Sequence, residues 1–587
     1  MESTLPLGGE FLLTDTSGRI FVPEDFSAEQ RQIAETTEEF VKNEILPNLE
    51  RIESQDFAFT VEKLRQCAGL GLFLPEVPEE YGGLELGKTT SMLLIEKISP
   101  AGSFSITYGG QTGIGLLPLV YYGTADQKER YLGKLASGEW IGAYALTEPD
   151  CGSDPLSSRT TAFLSEDGTH YVLNGTKQFI TNSSFADLFT VFAKIDGRHF
   201  TAFLVERGYE GFAVGAEEKK MGLMGSSTTP LVLRDVRVPV ANLLGEPGKG
   251  HKIAFNVLNV GRLKVAATSS GMAKGAFAEA ASHAGERKQF GRPIGEFGAV
   301  KEKLADMVAA IFAAESVVYR VAGLLDERIA TLDRGAADYY EQYQKGIEEY
   351  AAECAIAKVF CSEQLDRVVD QAVQIHGGYG YMSEYPVERY YRDSRIQRIF
   401  EGTNEINRIL IPTILFRRSD AGKLDLWGKT KRAQERMIEL EVADDGQGQG
   451  EFPLERSLLH NLKVLFLGIL GAVAPVRGSQ EVMLAVADMV MEIFALESSV
   501  VRAGQVCASA SDRRQELLRG VVKVAAFERS AQFHLAASRC CAYAGLTTYR
   551  TMLRKNLQRL SYYPVEGLLE AKDLLAAMAR EAGRYLF

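Results

Sequence analysis

The segment Arg398-Ile399-Phe400-Glu401-Gly402-Thr403-Asn404-Glu405-Ile406 carries residues suited to proton transfer. Ile406, Ile409 and Leu410 share one helix face, and Thr403 or Asn404 fits the start of that helix as a cap. Glu401 therefore falls on a turn just before a helix, beside two large apolar residues. A carboxylate in apolar surroundings is a stronger base. Gly402 removes bulk beside it and lets a substrate approach. The competing reading is an ordinary helix-entry glutamate favoured by the helix dipole.

Three other segments could hold a ligand. In Tyr144-Ala145-Leu146-Thr147-Glu148-Pro149-Asp150-Cys151-Gly152-Ser153-Asp154, Pro149 and Gly152 force a loop. Its hydroxyls and backbone N–H groups suit a ring or a phosphate, or it is a plain polar connector. Arg287-Lys288-Gln289-Phe290-Gly291-Arg292-Pro293-Ile294 closes a helix with basic residues. These complement the helix dipole and could also hold a pyrophosphate. Gln374-Ile375-His376-Gly377-Gly378-Tyr379-Gly380 is a glycine-rich turn, but it lacks the Gly-x-Gly-x-x-Gly spacing and follows no strand, which excludes a dinucleotide-binding βαβ unit. His376 by itself reads as a structural histidine. No P-loop lysine and no Gly-x-Ser-x-Gly elbow occur.

The elements that must position these segments follow from hydrophobic pattern. Ser27 with Gln30 makes a capping-box start, and Ile33, Phe40, Val41 and Ile45 recur on one face of the helix behind it, with Pro47 near its end. Tyr171–Leu173, Asn174-Gly175 and Gln178–Ile180 read as a β-hairpin. Leu188–Ile195, Phe200–Val205 and Pro230–Val238 read as further strands. Ile253, Val257 and Val260 open a long helix, and Leu365, Val368, Ala372 and Ile375 mark another that ends at Gly377-Gly378. Asp444–Gly450 reads as a linker. The expected order is a helical region over 1–142, a β region over 143–248, a helical bundle over 249–415, a linker over 416–452 and an extra helical region over 453–587.

A chain of 587 residues, 46% hydrophobic, is too large for one core and too apolar for disorder. With 65 basic and 77 acidic residues the net charge is −12, which disfavours nucleic acid. Seven scattered cysteines and no Cys-x-x-Cys pair suggest reduced thiols and a cytoplasmic setting, with no metal site expected. The first residues lack a basic region followed by an apolar stretch, so no signal peptide is expected. Val464–Val476, bracketed by Lys463 and Arg477, is shorter than the ~20 residues a spanning helix needs and reads as a buried or interfacial helix.

Taken together, Ala-Leu-Thr-Glu-Pro with Gly-Ser-Asp, Arg-Lys-Gln-Phe-Gly, Gln-Ile-His-Gly-Gly-Tyr-Gly and Phe-Glu-Gly-Thr-Asn-Glu resemble the acyl-CoA dehydrogenase family over residues 25–415. The tail after 440 resembles the extra helical domain of its very-long-chain branch. The resemblance implies a mainly α fold with a central, β-barrel-like domain, and FAD as cofactor. It places Tyr144, Leu146, Thr147, Gly152 and Ser153 along the flavin, with Phe179, Ile180 and Thr181 packed on another side. Relatives often carry tryptophan where Phe179 stands; phenylalanine can still stack but lacks the indole N–H. Arg287, Gln289 and Gln374, Ile375, His376, Gly377 and Gly378 would reach the FAD of the neighbouring subunit, and Thr403, Asn404 and Glu405 the flavin's phosphate side. Many relatives have glutamine at the position of Gly298, so one such contact is missing.

The implied activity is α,β-dehydrogenation of fatty acyl-CoA to trans-2-enoyl-CoA, as in fatty acid β-oxidation. Glu401 would remove the α-proton, its own N–H and a ribityl hydroxyl would polarise the thioester carbonyl, and hydride would pass to the flavin. Some relatives place the base just before a helix arginine; here Gly261 occupies that position, ahead of Arg262. Asn259, Arg262, Ser153 and Gly402 would line the substrate. In Ile106-Thr107-Tyr108-Gly109-Gly110-Gln111, adjacent glycines leave room for a long acyl chain or allow close helix packing. The family further implies electron-transfer flavoprotein as acceptor, a homodimer rather than a tetramer, and peripheral membrane contact through the tail. The alternative is a non-catalytic assembly scaffold of the same fold, against which the retained base and flavin segments argue.

Overall fold

The computed structural model describes residues 5–16, 18–439, 451–545 and 550–587. The expected linker run Asp444–Gly450 lies outside them. The chain divides into two compact units: Ser27–Gly271 with Ile329–Glu348, and Met1–Phe26 with Met272–Arg328 and Glu349–Phe587. Helices dominate, a central β region interrupts them, and further helices follow at the C-terminal end.

In the unit containing Ser27–Gly271, the Ser27 hydroxyl accepts the Gln30 N–H at 3.1 Å and the Gln30 side chain accepts the Ser27 N–H at 2.9 Å. This reciprocal cap starts helix Ala28–Phe40. Short helices carry the chain to strand Gly142–Ala145. Eight strands form one sheet, in the order Phe212–Val214, Thr228–Pro239, His170–Thr181, Thr161–Leu164, Leu188–Ile195, His199–Glu206, Leu243–Leu244. Gly142–Ala145 pairs in parallel with Leu188–Ile195. Seven of the eight residues of Leu188–Ile195 are buried, which explains its near-continuous apolar run.

The expected hairpin at Asn174-Gly175 does not form. His170–Thr181 is one strand of 12 residues, antiparallel to Thr228–Pro239 along its length. Asn174-Gly175 marks a register shift within it. The Asn174 amide donates to Asp235 at 2.9 Å and accepts the Asp235 N–H at 2.9 Å. A Cβ on Gly175 would overlap Thr160, its Cα included, so the glycine serves close approach rather than a turn.

The other unit is built on long helices, chiefly Gly298–Ala330, Ala351–His376, Asn404–Asp420, Pro453–Val473, Gln480–Cys507 and Asp512–Tyr543. The stripe Leu365, Val368, Ala372 and Ile375 is buried, and Gly377 ends that helix at φ 60°. Pro453–Val473 buries Leu462, Leu465, Phe466, Ile469 and Leu470, and Pro475 converts its continuation into the 3-10 turn Ala474–Val476. Gly298–Ala330 and Pro453–Val476 are both long and apolar enough to cross a membrane, but their most apolar stretches are 89% and 61% buried, as in core helices.

Candidate active site

Glu401 lies on a turn of two consecutive left-handed residues, at φ 55°, followed by Gly402 at φ 81°. A non-glycine residue there carries a cost of about 1–2 kcal/mol, so the turn has to be held from outside. Asn407, fully buried, points its amide nitrogen at three carbonyls in succession: Glu401 at 3.3 Å, Gly402 at 2.8 Å and Thr403 at 3.1 Å. Lys358, also fully buried, donates to the Gly402 carbonyl at 2.8 Å and to the Asn404 side-chain oxygen at 2.7 Å. Thr403 caps helix Asn404–Asp420, its hydroxyl accepting the Ile406 N–H at 3.2 Å. The Asn404 side chain is turned inward, donating to Ser362 and Glu363 at 3.1 Å each. Any ligand contact from Asn404 therefore falls to its backbone, whereas Glu405 is exposed. Asn407 and Lys358 escaped the sequence reading. A lysine inside the apolar run Ala355-Ile356-Ala357-Lys358-Val359-Phe360 was the available signal, because a buried ammonium needs partners.

The loop after strand Gly142–Ala145 is held equally firmly, within its own unit. Gln111 accepts the Gly142 N–H at 2.7 Å and donates to the Leu135 carbonyl at 2.8 Å, fixing where the strand begins. Tyr144 is buried with its ring 5.1 Å from that of Phe192. Glu148 anchors the loop. It accepts the Arg159 and Thr160 N–H groups at 2.5 and 3.1 Å, the Thr160 hydroxyl at 2.6 Å and the Lys177 ammonium at 2.8 Å. Burial works to raise this carboxyl, but the Lys177 charge and the N–H donors outweigh it and hold it below its ordinary value. Lys177 also reaches the Leu146 carbonyl at 3.3 Å, and the Gln178 N–H donates to the Thr147 carbonyl at 2.9 Å. Leu146 and Thr147 thus stand beside 177–181, both partly exposed. At the second register shift of strand His170–Thr181, between Lys177 and Ile180, Phe179 adopts φ 59° and leaves its ring 60% exposed. A bulge re-aims one side chain while its neighbours stay in the sheet; here Ile180 is buried and Phe179 turned out. Thr181 is partly exposed, and Gly152 and Ser153 are exposed, with open space where a Gly152 Cβ would stand.

Asn259 and Arg262 lie one turn apart on helix Gly250–Glu286, both buried, with an Arg262 guanidinium nitrogen donating to the Asn259 oxygen at 2.6 Å. Gly261, beside them, is buried. The two glycines of helix Ser103–Gly110 differ. A Cβ on Gly110 would sit 2.9 Å from the Asn182 amide nitrogen and 3.3 Å from a Thr181 methyl, so that glycine permits close packing. A Cβ on Gly109 would meet only the tip of Ile95, at 3.9 Å.

In the other unit, the residues after Glu286 form a two-stranded turn, Lys288–Gln289 against Arg292–Pro293, with Phe290 and Gly291 at φ 51° and 84°. Phe290 is 93% exposed and Gln289 is exposed, while the Arg287 guanidinium lies 5.4 Å from the Tyr379 ring centroid. Gln374, Gly377 and Gly378 are exposed; Ile375 and His376 are buried. His376 Nδ1 is 2.8 Å from the Ala372 carbonyl, and its ring stacks on His283 at 4.2 Å. Gly298 opens its helix with no atom within 4 Å of a Cβ there.

The described residues thus run in order through a helical segment, a β region and a helical bundle that carries Glu401 on a held turn. Three family models match in the same order: acyl-CoA dehydrogenase N-terminal domain at 27–139, middle domain at 143–236 and C-terminal domain at 248–415. A probable acyl-CoA dehydrogenase of Bacillus subtilis is 44% identical over 586 residues, 98% of each chain. The human mitochondrial very long-chain specific acyl-CoA dehydrogenase is 44% identical over 352 residues, 58% of this chain and 51% of that one. The crystal structure of acyl-CoA dehydrogenase complexed with FAD from Bacillus anthracis superposes with a TM-score of 0.95 at 44% identity, covering 99% of this chain and 100% of that one. The chain belongs to the acyl-CoA dehydrogenase family.

Proposed function

We propose that this protein dehydrogenates long-chain fatty acyl-CoA thioesters between Cα and Cβ, with FAD as hydride acceptor and Glu401 as the base. The observation that carries the reading is the Glu401 turn, kept in left-handed geometry by Asn407 and Lys358. The residues suit FAD. The outward Phe179 ring, next to the Gln178 that bonds Thr147, offers an aromatic face for a planar ring system. Arg287 and Gln289 supply donors for a pyrophosphate, and Gln374 with Gly377 and Gly378 offers an open backbone stretch. When bound, FAD supplies the two-electron chemistry.

The chain's own residues do the rest. Glu401 takes the α-proton, and its backbone N–H is the donor on this chain for the charge that develops on the thioester oxygen. Arg262, its guanidinium held by the Asn259 oxygen at 2.6 Å, is the cation proposed for the anionic CoA portion. Open space at Gly109 and the kinship with a very long-chain enzyme favour long chains. Each further buried CH₂ adds about 0.8 kcal/mol of binding. Electron-transfer flavoprotein as acceptor, a homodimer, a cytoplasmic setting and peripheral membrane contact by the C-terminal helices complete the proposal.

The test is anaerobic titration of the yellow protein with acyl-CoA of increasing length. Bleaching strongest with long chains is expected; a flavin that stays oxidised with every length refutes the reading. Glu401→Gln should keep FAD and abolish bleaching, and normal reduction of that variant would move the base elsewhere.

A further inference from the structure

Arg408, one turn into helix Asn404–Asp420, joins the catalytic turn to the helices beyond residue 415, where the family models end. Its two terminal nitrogens form a fork on Glu363, at 2.6 and 2.8 Å, and its Nε donates to Asp488 at 2.7 Å. The same Glu363 oxygen that receives the 2.6 Å bond accepts the Asn404 amide at 3.1 Å. Asn404 in turn accepts from Lys358, which holds the Gly402 carbonyl. A continuous chain of five charged or amide groups thus runs from Asp488, on helix Gln480–Cys507, to the turn that carries Glu401. Nε, the nitrogen outside the fork, is held by Asp488. A planar guanidinium fixed at all three nitrogens has a set orientation, whereas one held on a single carboxylate can pivot about that fork.

We propose that Asp488 is a positioning residue for the dehydrogenation: through Arg408, Glu363, Asn404 and Lys358 it fixes the Glu401-Gly402 turn, so the extra C-terminal helices tune proton abstraction as well as packing. This rests on Glu401 being the base. Displacements below 1 Å at a reacting group already cost rate, so Asp488→Asn should lower the kcat of flavin reduction about tenfold with KM and FAD content unchanged. Asp488→Glu should restore most of the rate. Asp573→Asn, which removes the 3.1 Å ion pair to Lys301 elsewhere in the C-terminal helices, should change neither.

Amide hydrogen exchange supplies a readout that needs no turnover. Asp488→Asn should speed exchange in the 399–410 peptide while 480–507 stays protected. The proposal is overturned if exchange at 399–410 and kcat both match wild type. It is equally overturned if 480–507 loosens as a whole or FAD content falls in step with kcat, because Asp488 is then a packing residue. A wild-type flavin that no acyl-CoA reduces defeats the dehydrogenase reading instead, and exchange still decides whether Asp488 holds the turn.

Discussion

Replacing Asn407 by leucine tests how the Glu401 turn is held. The side chains are close in size, so the change removes hydrogen bonding with little loss of packing. Three carbonyls face the Asn407 nitrogen, which fixes the amide orientation, since an oxygen there would face three acceptors. Their losses differ. The Thr403 carbonyl keeps the Asn407 backbone N–H at 3.0 Å, and the Gly402 carbonyl keeps Lys358. The part-buried Glu401 carbonyl loses its Asn407 bond, at about 1–3 kcal/mol. The left-handed Glu401 backbone, costing about 1–2 kcal/mol, then has less to hold it and relaxes toward the ordinary helical region. Taking 2 kcal/mol as the share felt by the reactive conformer, the rate of flavin reduction falls about thirtyfold. Stopped-flow bleaching by a long-chain acyl-CoA measures it, with Tm read in parallel and falling a few degrees. Asn407→Asp should be worse, since it sets a carboxylate against three carbonyls. An Asn407→Leu enzyme with wild-type reduction rate and Tm would refute the reasoning.

At Gly109, leucine should fill the open space near Ile95 and cut turnover of long-chain substrates while sparing short ones, read as kcat/KM across chain lengths; about 0.8 kcal/mol per excluded CH₂ is about fourfold each. Lys177→Met strands Glu148 as a buried, unpaired carboxylate. It should cost about 3–5 kcal/mol and lower FAD retention, checked by Tm and by the flavin-to-protein absorbance ratio. Glu353 is buried and accepts the Gly9 N–H at 2.7 Å; burial raises its carboxyl from 4.5 to about 7 against that bond. The folded state thus holds a proton that the unfolded chain releases first, so stability is greatest below the unfolded value and declines as pH rises to about 7, by up to about 3 kcal/mol. Glu353→Gln keeps an acceptor and removes the titration. Its Tm should exceed wild type at about pH 8, and the gap should close toward about pH 5; a constant gap would contradict this.

The parts of the fold legible in sequence were those set by neighbours along the chain. Ser27 with Gln30, the apolar run Leu188–Ile195 and the stop at Gly377 each act within a few residues. Asn174-Gly175 misled because its turn tendency is local too, while the ladder to Thr228–Pro239 and the Asn174–Asp235 bonds are formed 61 residues away and prevail. The holding groups of the site were hidden for the same reason. Lys177 meets Glu148 across 29 residues and Lys358 meets the Gly402 carbonyl across 44, so in sequence each looks like an ordinary charge. The outward turn of Phe179 depends on a bulge that only the partner strand defines.

Glu401 itself shows why local pattern left two readings open. A glutamate near a helix start can serve as a cap or as a first-turn acid complementing the dipole. Both duties are taken by others: Thr403 caps the helix and Glu405 is the acid of its first turn. Glu401 lies two residues before the cap, in a backbone geometry that costs the helix energy and gives its hydrogen-bond ladder nothing. Two fully buried polar side chains, Asn407 and Lys358, are committed to the carbonyls of that turn. Burying an amide and an ammonium to keep one glutamate at φ 55° makes little sense as helix chemistry, and it supports the proposed role of Glu401 as the base.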